Sequence, residues 1–148
     1  MKLFGCFLLL LTTALLGATS SYAREAANPL NADQWQARPL ILITPSAGNS
    51  QYLRMRRELK NQQEDFDRRD MVLYTIESGI GYHDGAPMTD AETSALLNDL
   101  GTTPDSRVIV ILIGKDGGKK VEQRGYVNPE QLFSTIDNMP MRQRESSR

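Results

Sequence analysis

Cysteine is almost missing from this chain of 148 residues, which also has only one histidine and one tryptophan. The single cysteine, Cys6, lies in an apolar N-terminal stretch, so a chain that loses this stretch has no thiol. Such a chain cannot be stabilised by disulfides. It also lacks the thiolate nucleophile that thiol–disulfide exchange and peroxide reduction need. The mature sequence therefore excludes thiol redox chemistry.

The chain also lacks an excess of either charge. It has 17 Lys and Arg residues against 18 Asp and Glu residues, so no basic field indicates nucleic acid as a partner. His83, Asp84 and Asp90 are the candidates for metal ligands, but one histidine without a cysteine argues against a structural zinc site. We therefore expect no metal, no cofactor and no nucleic-acid partner.

The first 23 residues are typical of a secretory signal peptide. Met1-Lys2 gives a basic start, and Leu3–Leu16 is an apolar run. Ser21-Tyr22-Ala23 has small residues at the two positions that a signal peptidase reads, so we expect cleavage after Ala23. The alternative is an uncleaved anchor, but the apolar run is shorter than the roughly 20 residues that span a bilayer. After cleavage no second segment is long enough to cross a membrane.

One domain is expected after the signal peptide, because the remaining length suits a single core. We expect a mobile lead-in over residues 24–34, the domain over 35–145 and a tail over 146–148. Apolar runs predict strands, and residues spaced by three and four predict helices. Strands are expected at Leu40–Ile43, Met71–Ile76, Val108–Ile113 and Lys119–Val127, helices at about 51–66, 89–100 and 128–139, and a glycine-rich loop at Glu77–Met88.

The predicted order is β-α-β-α-β-β-α, which belongs to the α/β class. A parallel strand pair, a hairpin and a closing helix predict a three-layer sandwich of the thioredoxin type. Lys115-Asp116-Gly117-Gly118 is predicted as the hairpin turn rather than a phosphate loop, since it lacks the glycine spacing and the following helix of a P-loop. We expect Trp35 to pack over one end of the sheet.

The strand-to-helix loop Thr44–Ser50 is the candidate functional site. Backbone N–H groups and the helix dipole favour an anion at such a loop, which carries Thr44, Ser46, Asn49 and Ser50. A serine without a neighbouring base is a poor nucleophile, and nothing in the spacing requires His83 to approach Ser46. The alternative role of these polar residues is helix capping.

Three stretches resemble a known family. They are Trp35–Ser46 (WQARPLILITPS), Leu112–Gly118 (LIGKDGG) and Leu132–Glu145 (LFSTIDNMPMRQRE). Together they are similar to the domain-of-unknown-function family 4174, a thioredoxin/peroxiredoxin-like domain of bacterial exported proteins and of some animal extracellular-matrix proteins. The resemblance implies a fold and an exported setting, and no established activity. It also places Arg107 near the position where peroxiredoxin-like proteins keep an arginine beside the peroxide pocket. Without a thiolate, Arg107 would hold an anion or a carboxylate there. The alternative, which we favour, is an ordinary arginine that flanks the strand.

These observations predict an exported, thioredoxin-like domain that acts as a non-redox binding module of the cell envelope. We expect it in the periplasm, or alternatively secreted. The expected partner is an envelope protein, a peptide or a small anionic ligand. It would be bound through Thr44, Ser46, Asn49, Ser50 and Arg107. The alternative is an enzyme that uses the Thr44–Ser50 loop as an anion cradle, and no catalytic residue is assigned.

Overall fold

The computed structural model describes residues 27–147. The predicted signal peptide, with Cys6, and the start of the lead-in lie outside the described residues. Within the described part, no helix is long and apolar enough to cross a bilayer. The elements are α1 (Leu30–Asp33), β1 (Arg38–Thr44), α2 (Ser50–Asn61), α3 (Gln63–Asp67), β2 (Met71–Glu77), β3 (Ile80–His83), β4 (Ala86–Pro87), α4 (Asp90–Leu100), β5 (Ile109–Ile113), β6 (Lys119–Arg124), α5 (Pro129–Asp137) and α6 (Pro140–Ser146).

The strands form one mixed sheet in the order β4-β3-β2-β1-β5-β6. β1 runs parallel to β2, with Arg38 opposite Met71. β5 runs antiparallel to β1, and β6 follows it through the predicted Lys115–Gly118 hairpin turn to form an edge. The predicted α/β class is confirmed.

Both faces of the sheet are covered because the aliphatic strands send alternate side chains to opposite faces. Leu40 and Leu42 of β1 pack on one face with residues from α2, α3 and α5. Ile41 and Ile43 pack on the other face with Leu96 and Leu100 of α4. All seven residues of β1 and all five of β5 are buried, so these two strands form the centre of the core.

The prediction of a loop at Glu77–Met88 is wrong, because this segment contains the β3–β4 hairpin. Two-residue turns at Ser78-Gly79 and Asp84-Gly85 join the strands, and all four turn residues have positive φ. This is the type I′ geometry that matches the twist of paired strands. The Asp-Gly pair was the available signal for it.

Both ends of the described part, residues 27–147, carry more structure than predicted. α1 lies inside the predicted lead-in, and its buried Asp33 accepts a hydrogen bond from the hydroxyl of Tyr74 at 2.7 Å. The predicted helix over 51–66 is two helices that meet at Gln62. α6 lies beyond the last predicted helix and reaches the first residue of the predicted tail, and Pro140 stands at its first turn.

Candidate functional site

The polar groups of the Thr44–Ser50 loop are largely used within the loop itself. The Thr44 hydroxyl donates to the carbonyl oxygen of Ser46 at 2.8 Å, and the Ser46 hydroxyl accepts from the backbone N–H of Gly48 at 3.2 Å. The side chain of Asn49 caps α2 by accepting from the N–H groups of Gln51 and Tyr52. Two N–H groups that an anion cradle needs therefore already have an acceptor.

The fold does not place His83 beside Ser46. His83 pairs with Tyr74 across β2 and β3, whereas Thr44 pairs with Glu77, three residues further along β2. Three residues of strand span about 10 Å. The imidazole instead stacks on the Tyr74 ring with centroids 4.3 Å apart. Ser46 thus gains no base from the only histidine.

Arg107 lies at the same end of the sheet as the Thr44–Ser50 loop. It precedes Ile109, which pairs with Ile43 near the end of β1. Its side chain is 64% exposed and lies 3.8 Å from the carboxylate of Asp105. The fold therefore brings Arg107 and Thr44–Ser50 to one edge without giving the guanidinium a buried position there.

A tyrosine–carboxylate contact that the sequence did not reveal lies near this edge. The Tyr52 hydroxyl donates to the carboxylate of Glu77, and the guanidinium of Arg56 donates to the same hydroxyl at 3.0 Å. Burial, followed by the hydrogen bond to Glu77, raises the pKa of Tyr52. The contact ties α2 to the end of β2 with a protonated tyrosine, which is a structural role.

The opposite end of β1 carries a buried cation. Arg38 is the first residue of β1, about 20 Å from Thr44 along the strand, and its side chain is 1% exposed. Its Nη1 atom donates to the carbonyl oxygen of Arg69 at 2.9 Å, and Nη2 donates to the carboxylate of Glu145 at 3.0 Å. The buried Nε atom has no partner among the described residues. A buried guanidinium requires compensating charge. Glu145 supplies it together with Asp70, whose carboxylate lies 3.7 Å from Nη1.

Lys115 completes the ionic cluster around Arg38. Its ammonium lies 2.8 Å from the carboxylate of Asp70 and 2.9 Å from that of Glu145. Burial acts to lower the pKa of Lys115, but the hydrogen bonds to Asp70 and Glu145 outweigh it and the pKa is raised. Burial acts to raise the pKa of Glu145, but hydrogen bonds from Lys115 and Arg38 leave it lowered. Both groups are therefore charged at neutral pH.

A cavity of about 550 Å³ opens beside this cluster, and we call it the Arg38 pocket. Small-molecule sites usually measure about 300–1,000 Å³. Its walls combine cationic side chains with an indole, a proline and two methionines. The lining residues are Trp35, Arg38, Gly114, Lys115, Asp116, Lys120, Asn138, Met139, Pro140, Met141 and Arg144.

Trp35 stands exposed at this pocket, so the expectation that it packs over an end of the sheet is wrong. Its residue is 59% exposed, and its backbone has φ of +67°, an unusual conformation for a bulky side chain. The N–H of Trp35 donates to the carbonyl oxygen of Lys115 at 2.6 Å, which holds the strained residue in place. Strain of this kind is often found at ligand sites.

A larger groove of about 690 Å³ lies between α2, α3 and β2. Its rim carries Arg56, Arg57 and Lys60 together with Asp67 and Asp84. The charges of both signs are those of a solvated helix surface. The groove is not lined by any of the buried polar atoms that lack a partner within residues 27–147. The Arg38 pocket is therefore the better-built site.

The fold and this pocket define an α/β domain with a cationic, partly apolar cavity at the amino end of its parallel strands. The family model described as Domain of unknown function (DUF4174) matches residues 29–145, and the chain belongs to this family. No curated protein and no solved structure matches the chain.

The three stretches that carry the family resemblance meet at the Arg38 pocket. Ten of its eleven lining residues fall within Trp35–Ser46, Leu112–Gly118 and Leu132–Glu145, and the exception is Lys120. Sequence reasoning missed this site although those stretches were recognised, because their convergence depends on contacts between distant parts of the chain.

Proposed function

We propose that this protein is an exported, thioredoxin-like domain that acts as a non-redox binding module of the cell envelope, in the periplasm, with the Arg38 pocket as its binding site. The observation that carries this proposal is the pocket itself, in which a buried and incompletely hydrogen-bonded guanidinium lies beside an exposed indole. Unpaired buried polar groups are rare in folded proteins and call for an explanation, which a ligand would supply.

The thioredoxin-like part of the proposal is supported by the four inner strands. Their order is β2-β1-β5-β6, with β1 and β2 parallel and a β5–β6 hairpin antiparallel to β1. This is the arrangement expected for the predicted β-α-β-α-β-β-α order, to which the β3–β4 hairpin adds an edge. The non-redox part is supported by the sequence, since the only cysteine lies in the predicted signal peptide.

The alternative, an enzyme that uses the Thr44–Ser50 loop as an anion cradle, is less well supported. Asn49 already occupies N–H groups of α2, and the hydroxyl of Ser46 accepts from its own loop. A nucleophilic serine would also need a base within hydrogen-bonding reach, and His83 stacks on Tyr74 instead. We therefore favour binding at the other end of the sheet.

Export is tested by expressing the full chain in a Gram-negative bacterium and analysing each compartment. We expect the periplasmic fraction to hold the protein, and its intact mass and N-terminal sequence to show that it begins at Arg24. A protein that stays in the cytoplasm and retains Met1 would contradict the export proposal.

Binding is tested by thermal unfolding of the protein purified from that compartment, alone and with low-mass or high-mass fractions of envelope extract. A ligand at about 100 times its dissociation constant adds roughly 2.7 kcal/mol of stability. That should raise the melting temperature by something on the order of 10 °C for a domain of this size. We expect a shift that Trp35→Ala reduces.

The matched control for Trp35→Ala is Leu53→Ala, which truncates another exposed apolar side chain, on α2. We expect this variant to keep the full shift. The proposal of a binding function is wrong if no fraction stabilises the wild-type protein. If Ser46→Ala or Arg107→Ala removes the shift while Trp35→Ala leaves it intact, the ligand binds at the Thr44–Ser50 edge instead.

A further inference from the structure

Two cations that line the Arg38 pocket, Arg38 and Lys115, already bind a carboxylate of the chain itself. One oxygen of Glu145 accepts from Nη2 of Arg38 at 3.0 Å, and the other accepts from Nζ of Lys115 at 2.9 Å. Each oxygen thus has one charged donor, which is the pattern of charge-assisted recognition of a carboxylate. Glu145 shows which chemical group this pair of cations accepts.

The helix that carries Glu145 is weakly attached to the body of the domain. α6 has seven residues and none of them is buried. Its links to the rest of the domain include the ion pairs of Glu145 and a longer one, 3.7 Å, from Arg142 to Asp137. Since little apolar area anchors α6, exchange of the Glu145 carboxylate for another one costs little packing.

The guanidinium of Arg38 has a hydrogen-bonding position that Glu145 does not use. Arginine binds carboxylates most strongly through two parallel N–H donors. Nη1 is occupied by the carbonyl of Arg69, and Glu145 takes Nη2 alone, which leaves the buried Nε without a partner among the described residues. A carboxylate that accepts from Nε and Nη2 would give Nε a partner.

The remaining wall of the pocket suits an apolar or aromatic group. Met139, Pro140 and Met141 line the cavity together with the exposed indole of Trp35, and methionine adapts to varied apolar shapes. On the polar side, Lys120 is already paired with Asp116 at 2.7 Å. Arg144 adds a further positive charge at the mouth, where its Nε donates to the carbonyl oxygen of Pro140 at 3.2 Å.

We infer that the Arg38 pocket binds small molecules that carry a carboxylate next to an apolar or aromatic group, and that this carboxylate replaces Glu145 on Arg38 and Lys115. The inference rests on the proposed binding function and names its ligand class. Glu145 acts as a built-in competitor for these cations when the pocket is empty, while Asp70 remains paired with both of them.

The test is a fluorescence titration with benzoate at pH 7, because Trp35 is the only tryptophan of the chain and lines the pocket. We expect saturable quenching by benzoate and none by benzamide, its neutral analogue, at the same concentrations. Phenyl phosphate, titrated in parallel, separates a carboxylate site from a general anion site. Equal binding of benzamide or tighter binding of phenyl phosphate would overturn the ligand class.

Displacement is tested with Glu145→Gln, which removes the competing charge and keeps the size of the side chain. We expect benzoate to bind this variant about tenfold more tightly, since the competitor's charged hydrogen bonds are lost. Lys115→Met should weaken the binding of benzoate by at least the same factor. The control Glu64→Gln changes the same group on α3, where its side chain is 87% exposed, and should leave the affinity unchanged.

Unchanged affinity in Glu145→Gln would show that Glu145 is not displaced, and absence of quenching in the wild type would show that benzoate is not a ligand. Either result overturns this inference. Neither affects the proposed binding function, which the extract-induced thermal shift decides separately. If both the shift and the quenching are absent, both proposals are wrong.

Discussion

The carboxylate of Glu145 lies 3.0 Å from Nη2 of Arg38, a residue 107 positions earlier in the chain. This pair joins the last helix to the first strand of the sheet and neutralises a side chain that is 1% exposed. Removing one partner of a buried ion pair leaves the other charge uncompensated. The free-energy cost of that buried charge exceeds the net stabilisation that the pair provides. The contact therefore contributes to stability as well as to the pocket.

Glu145→Gln should destabilise the protein by about 1–3 kcal/mol, the usual cost of weakening a hydrogen bond to a buried charged group. The side-chain amide oxygen of the introduced glutamine can still accept a hydrogen bond from Arg38, which limits the destabilisation to this range. Urea unfolding would show a lower midpoint with an unchanged slope. Glu64→Gln, the exposed control on α3, should change stability by less than about 0.5 kcal/mol. Equal midpoints for Glu145→Gln and the wild type would contradict the structural role of this ion pair.

The same pair predicts a loss of stability in acid. The pKa of Glu145 is lowered in the folded state, where the donors Lys115 and Arg38 outweigh burial. A carboxylate with a lowered folded pKa contributes stability above its unfolded pKa, about 4.3, and loses it as the pH falls through the folded value. The wild type should therefore lose more stability than Glu145→Gln between pH 5 and strongly acidic pH.

The measurement is the urea midpoint of both proteins at several pH values from 7 downward. The difference between them should shrink as the pH falls, because the wild-type carboxylate becomes protonated. A constant difference over this range would mean that Glu145 has an ordinary pKa in the folded protein. Lys115 predicts a loss of stability in alkali instead. Its pKa is raised in the folded state, so it contributes stability below its unfolded pKa, about 10.4, and this stability is lost as the pH rises through the folded value.

The elements that the sequence predicted well are those with local signals. The predicted helix at about 89–100 begins with Thr89-Asp90-Ala91-Glu92, a capping-box sequence, and the Thr89 hydroxyl and the Glu92 carboxylate cap each other's backbone N–H groups at the start of α4. The predicted helix at about 128–139 begins with Asn128-Pro129, a helix-start sequence, and Asn128 accepts from the N–H of Glu130 at the start of α5. Such signals depend on neighbours within one turn, so a single sequence contains them fully.

The Arg38 pocket lacked a signal of this kind. Arg38, Lys115 and Glu145 come from three distant parts of the chain and approach one another only because β1 and β5 are neighbours in the sheet and α6 returns to their end. No spacing or periodicity records these contacts. One available indication was an arginine two residues before the apolar run Leu40–Ile43, within a stretch that carried the family resemblance.

The loop Thr44–Ser50 gives a prediction that separates capping from ligand binding. Asn49→Ala removes the side chain that accepts from the N–H groups of Gln51 and Tyr52, and loss of such a cap costs about 1 kcal/mol. Ser46→Ala removes one exposed contact with Gly48 and should cost less than about 0.5 kcal/mol. Chemical denaturation of both variants would test this order. The reverse order would give Ser46 a structural role that its contacts do not indicate.

The β3–β4 hairpin depends on turn residues with positive φ, and Gly85 is one of them, with φ of +82°. A Cβ atom added at Gly85 would meet no atom within 4 Å, so Gly85→Ala tests the backbone conformation alone. We expect it to destabilise the protein by about 1–2 kcal/mol, the cost of a left-handed conformation for a residue with a side chain.

Gly48→Ala is the matched control for Gly85→Ala. Gly48 does not have a positive φ, and its added Cβ would lie 3.7 Å from the Ser46 hydroxyl oxygen, an ordinary contact. This variant should be neutral or up to about 1 kcal/mol more stable, because alanine restricts the unfolded chain. Thermal or urea unfolding of both variants measures the difference. If Gly85→Ala proved as stable as Gly48→Ala, the type I′ turn would be wrong, and with it the register that pairs His83 with Ala86.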